Sequence, residues 1–195
     1  MEIQVNDDVT LRDIRQEDIA DYIPRETVET EWQLWDAPWL YENRTPEQCE
    51  RELKEYVEKL ERWASEASEY SDSSIRSRFE IDYRGEHVGS CASYLIDSDC
   101  NILDGCDAKS LGRAIGICVF DPQHRRRGIA TAALTGLIDY LKAHGSQRIF
   151  TQTWSGNEHM IALAQKLGFA ECRRKEGIRQ VRGGTYDGLT FELMR

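Results

Sequence analysis

The run from Gly112 to Leu134, GRAIGICVFDPQHRRRGIATAAL, most constrains what this chain can fold into. Ala114 to Phe120 is a short apolar run carrying the Ile, Val and Phe that suit a buried strand. Asp121-Pro122 ends it, since proline has no N–H for a ladder and aspartate favours a turn. Arg125, Arg126, Arg127, Gly128, Ile129 and Ala130 then lead straight into Thr131-Ala132-Ala133-Leu134, a good helix-forming sequence. A strand, a basic glycine loop and a helix start in that order make an anion cradle. The first-turn N–H groups have no intrahelical partner, and the helix dipole adds partial positive charge there. Gly128 and the small Ala130 let the backbone come close to a phosphate. The loop matches neither Gly-x-x-x-x-Gly-Lys-Ser/Thr nor Gly-x-Gly-x-x-Gly.

The rest of the chain is read around this cradle as one domain, residues 1–195, long enough to bury a sizeable core. No apolar run reaches the 18 residues that would span a membrane, and Met1-Glu2-Ile3-Gln4 lacks the basic-then-apolar pattern of a signal segment. Cys49, Cys91, Cys100, Cys106, Cys118 and Cys172 form no CxxC pair and no His-spaced zinc pattern, which reads as reduced thiols in the cytosol. No metal site is expected; Asp97, Asp99, Asp104 and Asp107 lack the Glu that closes a calcium loop. A net charge of −10 argues against a general nucleic-acid binder and is compatible with a cationic substrate.

Val9 to Ile14 reads as a strand, and Asp18 to Tyr22 as a helical turn interrupted by Pro24. Glu29 to Trp39, ETEWQLWDAPW, packs three tryptophans and three acids into eleven residues. Glu31, Trp32 and Trp35 would suit an amine, because aromatic faces and carboxylates both attract cations; equally, the tryptophans anchor this segment on the core. Thr45-Pro46-Glu47-Gln48 opens an amphipathic helix with a capping box. Ser65 to Ser77 and Asp97 to Ser110 read as exposed loops. Between them, Arg78 to Arg84 and His87 to Ile96 form a hairpin with Glu80 and Asp82 on one face. Glu80 or Asp82 there is a candidate base for deprotonating an ammonium, and Asp82 is also a candidate substrate contact; a solvated strand face is the plainer alternative for both. After the cradle come a helix to His144, a strand from Arg148 to Trp154, a helix capped near Asn157 and stopped by Gly168, and two closing strands.

Arg125, Gly128 and Ala130 occupy the defining places of the R/Q-x-x-G-x-G/A loop, and Asn157 with Lys166-Leu167-Gly168-Phe169 gives a second motif at matching spacing. On these residues the chain resembles the GNAT N-acetyltransferase superfamily, and Tyr186-Asp187 followed by an apolar strand is similar to the ending of the branch that acetylates ribosomal-protein N-termini, to which it looks closest. The resemblance is strongest from Gly112 to Phe169 and loose before Arg78. It implies an α/β (α+β) fold, a mixed and mostly antiparallel sheet of about six to seven strands flanked by helices. An acceptor-side part would lie near 1–77 and an acetyl-coenzyme A-binding core near 78–195. It further implies that Arg125, Arg126, Arg127, Gly128, Ile129, Ala130 and Thr131 hold the pyrophosphate of acetyl-coenzyme A. Cys118, Val119 and Phe120 would pair with the pantetheine and stabilise the oxyanion, and Asn157 would bond the pantetheine arm or neighbouring backbone. Where the family often carries its acid and bases, this chain has Ala164, Met160 and Ala114, so Tyr186 becomes the candidate acid. His124, His144 and His159 read as surface or capping residues. The expected activity is acetyl transfer to a small cationic amine or a peptide N-terminus, by a monomer or homodimer without nucleic-acid or membrane partners. A coenzyme A-binding module that has lost catalysis is the reading of another class.

Overall fold

The order of strands and one parallel step set the architecture of the computed structural model, which describes residues 1–67, 69, 75–103 and 110–194. β1 (Glu2–Gln4), β2 (Val9–Arg12), β3 (Arg78–Tyr83) and β4 (Glu86–Ile96) form an antiparallel run. A two-residue strand, β5 (Ile102–Leu103), pairs with the end of β4 inside a stretch expected as loop. β6 (Gly112–Val119) returns antiparallel to β4. The helix α3 (Ile129–Ala143) carries the chain over to β7 (Ile149–Trp154), which lies parallel to β6. A parallel step needs such a crossover, since a tight turn reverses direction. β9 (Gly184–Leu193) follows β7 in the sheet and β8 (Phe169–Val181) forms the far edge, both antiparallel. The sheet order is β1-β2-β3-β4-β6-β7-β9-β8 with β5 on β4. The surplus over the expected six or seven strands is the short β1 and β5.

The helices cover both faces. On one, α3 buries Leu134, Leu137 and Leu141 against Leu11, Phe79, Ile81 and Ile115, all with no exposed surface. Gly136 permits the approach, because a Cβ there would come within 2.5 Å of Val5. On the other face lie α1 (Ile19–Thr27) and α2 (Pro46–Glu66), packing Tyr22 and Leu60 with Ile14 and Phe120. The capping box of α2 forms as expected: the Gln48 N–H donates to Thr45 Oγ1 at 3.3 Å, and Gln48 Oε1 accepts from the Thr45 N–H at 2.8 Å. That helix runs on through Ser65 and Glu66, further than its apolar pattern indicated.

Pro24 does not interrupt α1. The bond it cannot make would go to the carbonyl of Ala20, which is exposed, so water can take the place of the missing donor. The remainder of the Ser65–Ser77 stretch is described only in part. Asp104, Cys106 and Asp107 lie outside the described residues.

Candidate functional site

β6 and β7 pair over three positions only, ending where Ile115 lies opposite Thr151. Beyond that point β6 stays on β4 as far as Val119, and β7 stays on β9 as far as Trp154. The Thr151 hydroxyl donates to the Ile115 carbonyl at 2.8 Å and closes the base of the fork. The Arg113 N–H donates to Arg148 and the Phe120 N–H to Val88. Alternation along a strand therefore turns the backbone groups of Ile117 and Val119 toward the gap, and those of Cys118 and Phe120 toward β4. Of the three residues expected to present backbone to a ligand, Val119 turns its backbone toward the gap, as Ile117 does, while Cys118 and Phe120 turn theirs toward β4.

At the top of the fork Asp121 accepts from the Gln123 N–H at 2.7 Å and fixes the turn after β6. Arg126 and Gly128 take left-handed φ of 61° and 83°, bringing the loop round to start α3 at Ile129. The first N–H groups of that helix then point out of its end without intrahelical partners. A Cβ added at Gly128, or at Gly116 on the open part of β6, would meet nothing within 4 Å. Fork and loop enclose a cavity of about 550 Å³ walled by the two diverging strands, by loop residues from Arg125 to Thr131, and by Asn157, Met160 and Leu163. That size falls in the range of small-molecule sites. Its backbone donors and open glycines fit a phosphate-bearing chain. Arg127 turns away, bonding the Gln123 carbonyl at 3.0 Å, and Phe120 belongs to a second cavity.

Asn157 caps α4 (Glu158–Lys166) by accepting from the Met160 N–H at 3.0 Å, and its amide donates to the Trp35 carbonyl at 3.0 Å. The Trp154 indole donates to the same carbonyl at 2.8 Å. These bonds hold the tryptophan-rich segment against the fork. Glu31 does not stand free for an amine: the Arg125 guanidinium grips both its oxygens, and the Trp35 indole donates to it at 2.8 Å. The arginine keeps the Glu31 carboxyl below its usual range. Trp32 lines both cavities, Trp35 the first alone, and Trp39 packs edge-on to Trp154 under Arg179. Anchoring and lining are thus divided among the three. His124 and His159 also line the first cavity, His159 with its ring 4.2 Å from that of Trp35, rather than standing apart at the surface. His144 does cap a helix, its ring nitrogen 2.8 Å from the Tyr140 carbonyl.

The second cavity, of about 990 Å³, lies between β6, α1, α2 and the tryptophan segment, and shares Trp32, Asp36 and Cys118 with the first. Tyr22, Tyr41, Tyr56 and Phe120 give it an aromatic lining. Two of its cations are already paired, Arg44 with Glu52 at 3.0 Å and Arg78 with Glu80 at 2.9 Å. Two of its carboxylates, Glu26 and Asp36, have no hydrogen bond or ion pair among the described residues. Desolvation pushes the Glu26 carboxyl up to about 7, against the pull of Arg44. Asp36, although exposed, is raised by desolvation as well. Burial pushes the Cys118 thiol up to about 12, which keeps it protonated and unfit as a nucleophile.

The two candidate catalytic residues read from the sequence stand elsewhere. Glu80 is fully buried and lines neither cavity. It accepts from the Tyr22 hydroxyl, from Arg78 at 2.9 Å and lies 3.0 Å from His87 Nε2. Asp82 is tied to Arg12 at 2.7 Å, also outside both cavities. Tyr186 packs its ring edge-on to Trp154 at 4.9 Å and reaches neither. Neither Glu26 nor Asp36 is singled out by the sequence as a site residue, although Asp36 is one of the three acids of the tryptophan segment. Tyr22 and Glu26 are four apart on one face of α1, and Asp36 precedes the left-handed Ala37 that turns the segment. The first of these spacings can be read in a sequence; the second cannot.

The profile of the family described as "Acetyltransferase (GNAT) domain" matches residues 8–170. The chain belongs to the GNAT acetyltransferase family. An uncharacterized N-acetyltransferase of Methanocaldococcus jannaschii is 33% identical over 95 residues, a match that spans 48% of this chain and only 38% of that protein. The solved microcin C7 self-immunity acetyltransferase, in complex with acetyl-CoA and AMP, superposes with a TM-score of 0.68 at 18% identity, covering 99% of this chain and 96% of that one. A ribosomal L7/L12 alpha-N-protein acetyltransferase in complex with coenzyme A gives 0.68 at 14% identity, covering 100% and 98%. At such identities these likenesses speak for the GNAT fold. The forked β6–β7 pair and the loop into α3 lie inside the matched range.

Proposed function

We propose that this GNAT protein transfers the acetyl group of acetyl-coenzyme A to the primary amine of a small cationic acceptor. The observation that carries the reading is the meeting of two cavities at Cys118: a slot with free backbone groups and a helix N-terminus on one side, an acidic aromatic chamber on the other. In the slot, the pyrophosphate rests on the amides of the loop from Arg125 to Thr131, and the pantetheine amides pair with the exposed backbone of Ile117 and Val119. The thioester then lies beside Gly116 and Cys118, facing the chamber.

An amine freed of its proton attacks the carbonyl carbon with its lone pair. The carbonyl oxygen gathers negative charge, which a backbone N–H on β6 stabilises. As that oxygen's electrons return, the C–S bond breaks and the thiolate leaves to be protonated. Holding both reactants at one junction supplies effective molarities on the order of 10⁵ M or more, so few side chains are indispensable. Peptides with a free N-terminus are the second acceptor class, supported by the volume of the chamber and by the ribosomal-protein acetyltransferase among the structural neighbours.

The test is thiol release from acetyl-coenzyme A over a panel of alkylamines, arylalkylamines, diamines and N-terminal peptides. Turnover that is fastest with the small cations is expected. Turnover confined to peptides would move the acceptor to the second class. Coenzyme A binding without turnover on any member would identify a binding module instead.

A further inference from the structure

Resting on that reading, we propose that Glu26 and Asp36 form the acceptor's ammonium site, with Asp36 anchoring the cation beside the thioester and Glu26 receiving its proton. Among the described residues Asp36 is the one acid that lines both cavities, so a cation on it stands at their junction. Glu26 faces the same chamber from α1, four residues after Tyr22. Neither carboxylate has a partner among the described residues, whereas Glu31, Glu52, Glu80 and Asp82 are each tied to an arginine. Glu26 is half-buried, and a half-buried acid without a partner is costly to the fold; a bound cation supplies what is missing.

The groups that act on Glu26 are Asp36 and Tyr41 from the tryptophan segment, Arg44, Tyr56 from α2 and Cys118 from β6, and the chamber also carries Glu50, Glu52, Glu55 and Lys59 from α2 and Arg78 from β3. Of its cations, Arg44 is paired with Glu52, Arg78 with Glu80, and Lys59 lies over the Trp63 ring. A carboxyl pushed up to about 7 is poised to take a proton near neutrality. The step balances simply. One ammonium N–H bond breaks, its electron pair stays on nitrogen and attacks the thioester, and the proton rests on a Glu26 oxygen until it passes to solvent or to the departing thiolate.

Two readouts test the assignment in the full chain. The first is calorimetry of n-butylammonium binding to the coenzyme A complex at pH 8. The wild type should bind it, Asp36→Asn should bind roughly ten- to a hundredfold more weakly, and Glu26→Gln should melt at a higher temperature than the wild type because a half-buried unpaired charge is gone. Equal binding by wild type and variants, or none by the wild type, overturns the site. The second is the pH profile of kcat/KM with the best amine of the panel. The wild type should lose activity below a pH near 7, and Glu26→Gln should lack that limb and lose on the order of 10²-fold or more in kcat. With a hydrazide acceptor, neutral at pH 7, Glu26→Gln should lose little. A retained limb in Glu26→Gln overturns the base. Binding lost in Asp36→Asn without turnover by any form would contradict acetyl transfer and the proton role while upholding the cation site.

Discussion

A carboxylate with no exposed surface stays ionised at Glu80 because of what surrounds it. Burial works against the charge, but Arg78, His87 and the Tyr22 hydroxyl overcome it and hold the carboxyl below its usual range. Removing one member of such a group leaves the others buried and unmatched. Glu80→Ala should therefore lower unfolding stability by about 3–5 kcal/mol in urea denaturation; a change under about 1 kcal/mol would contradict the network. Arg125 and Glu31 are both partly exposed, so Glu31→Gln should cost no more than about 1 kcal/mol by the same assay. The sequence shows Glu80 alternating with Asp82 on a strand and no more. What buries Glu80 is Tyr22, 58 residues away on α1, and strand alternation carries no information about which helix covers a face.

At the scale of elements, β6, the loop and α3 were readable because each step has a local cause. Apolar β-branched residues make the strand, Asp121-Pro122 ends it, and Gly128 at φ 83° starts the helix. The fork was not readable, since it depends on where β7 leaves β6 for β9, a choice made between residues about 36 apart in sequence. Its depth is open to a steric test. Gly116 is extended, and a side chain there would enter the slot without meeting protein. Gly116→Leu should keep the melting temperature and raise the KM for acetyl-coenzyme A at least tenfold, read by initial rates; an unchanged KM would place the pantetheine elsewhere. Leu134→Ala, under α3, should instead cost about 2–5 kcal/mol in stability and leave the KM alone.

Over the whole molecule the paired and unpaired acids set how stability varies with pH. Glu80 lies below its ordinary 4.5, so its contribution is present above that value and disappears as pH falls through its folded pKa. His87 is buried, yet Glu80, Asp21 and Asp18 hold it above its ordinary 6.5, so its contribution is full below that value and disappears as pH rises through the folded one. Glu26 is pushed from 4.5 up to about 7, so its ionisation is an increasing penalty across that interval. All three favour mildly acidic solution. The melting temperature should peak between about pH 5 and 6 and decline by pH 8, by scanning calorimetry; a maximum at pH 8 would contradict these assignments. The negative charge of the chain was plain from composition. Its division into acids bound to arginines and acids left facing a chamber was not, because that division is made by the packing of α1, α2 and the tryptophan segment on the sheet.

The account turns on the loop before α3 as the seat of a pyrophosphate, and calorimetry of acetyl-coenzyme A binding to wild type and Gly128→Asp tests that most directly. Gly128 faces open space, so the added carboxylate meets no neighbouring atom; at φ 83° a side chain strains the backbone, and the carboxylate places a negative charge at the helix N-terminus. Micromolar binding by the wild type and none by a variant with an unchanged circular dichroism spectrum is the predicted result. Equal binding by both, or binding by neither, would contradict the assignment of the loop.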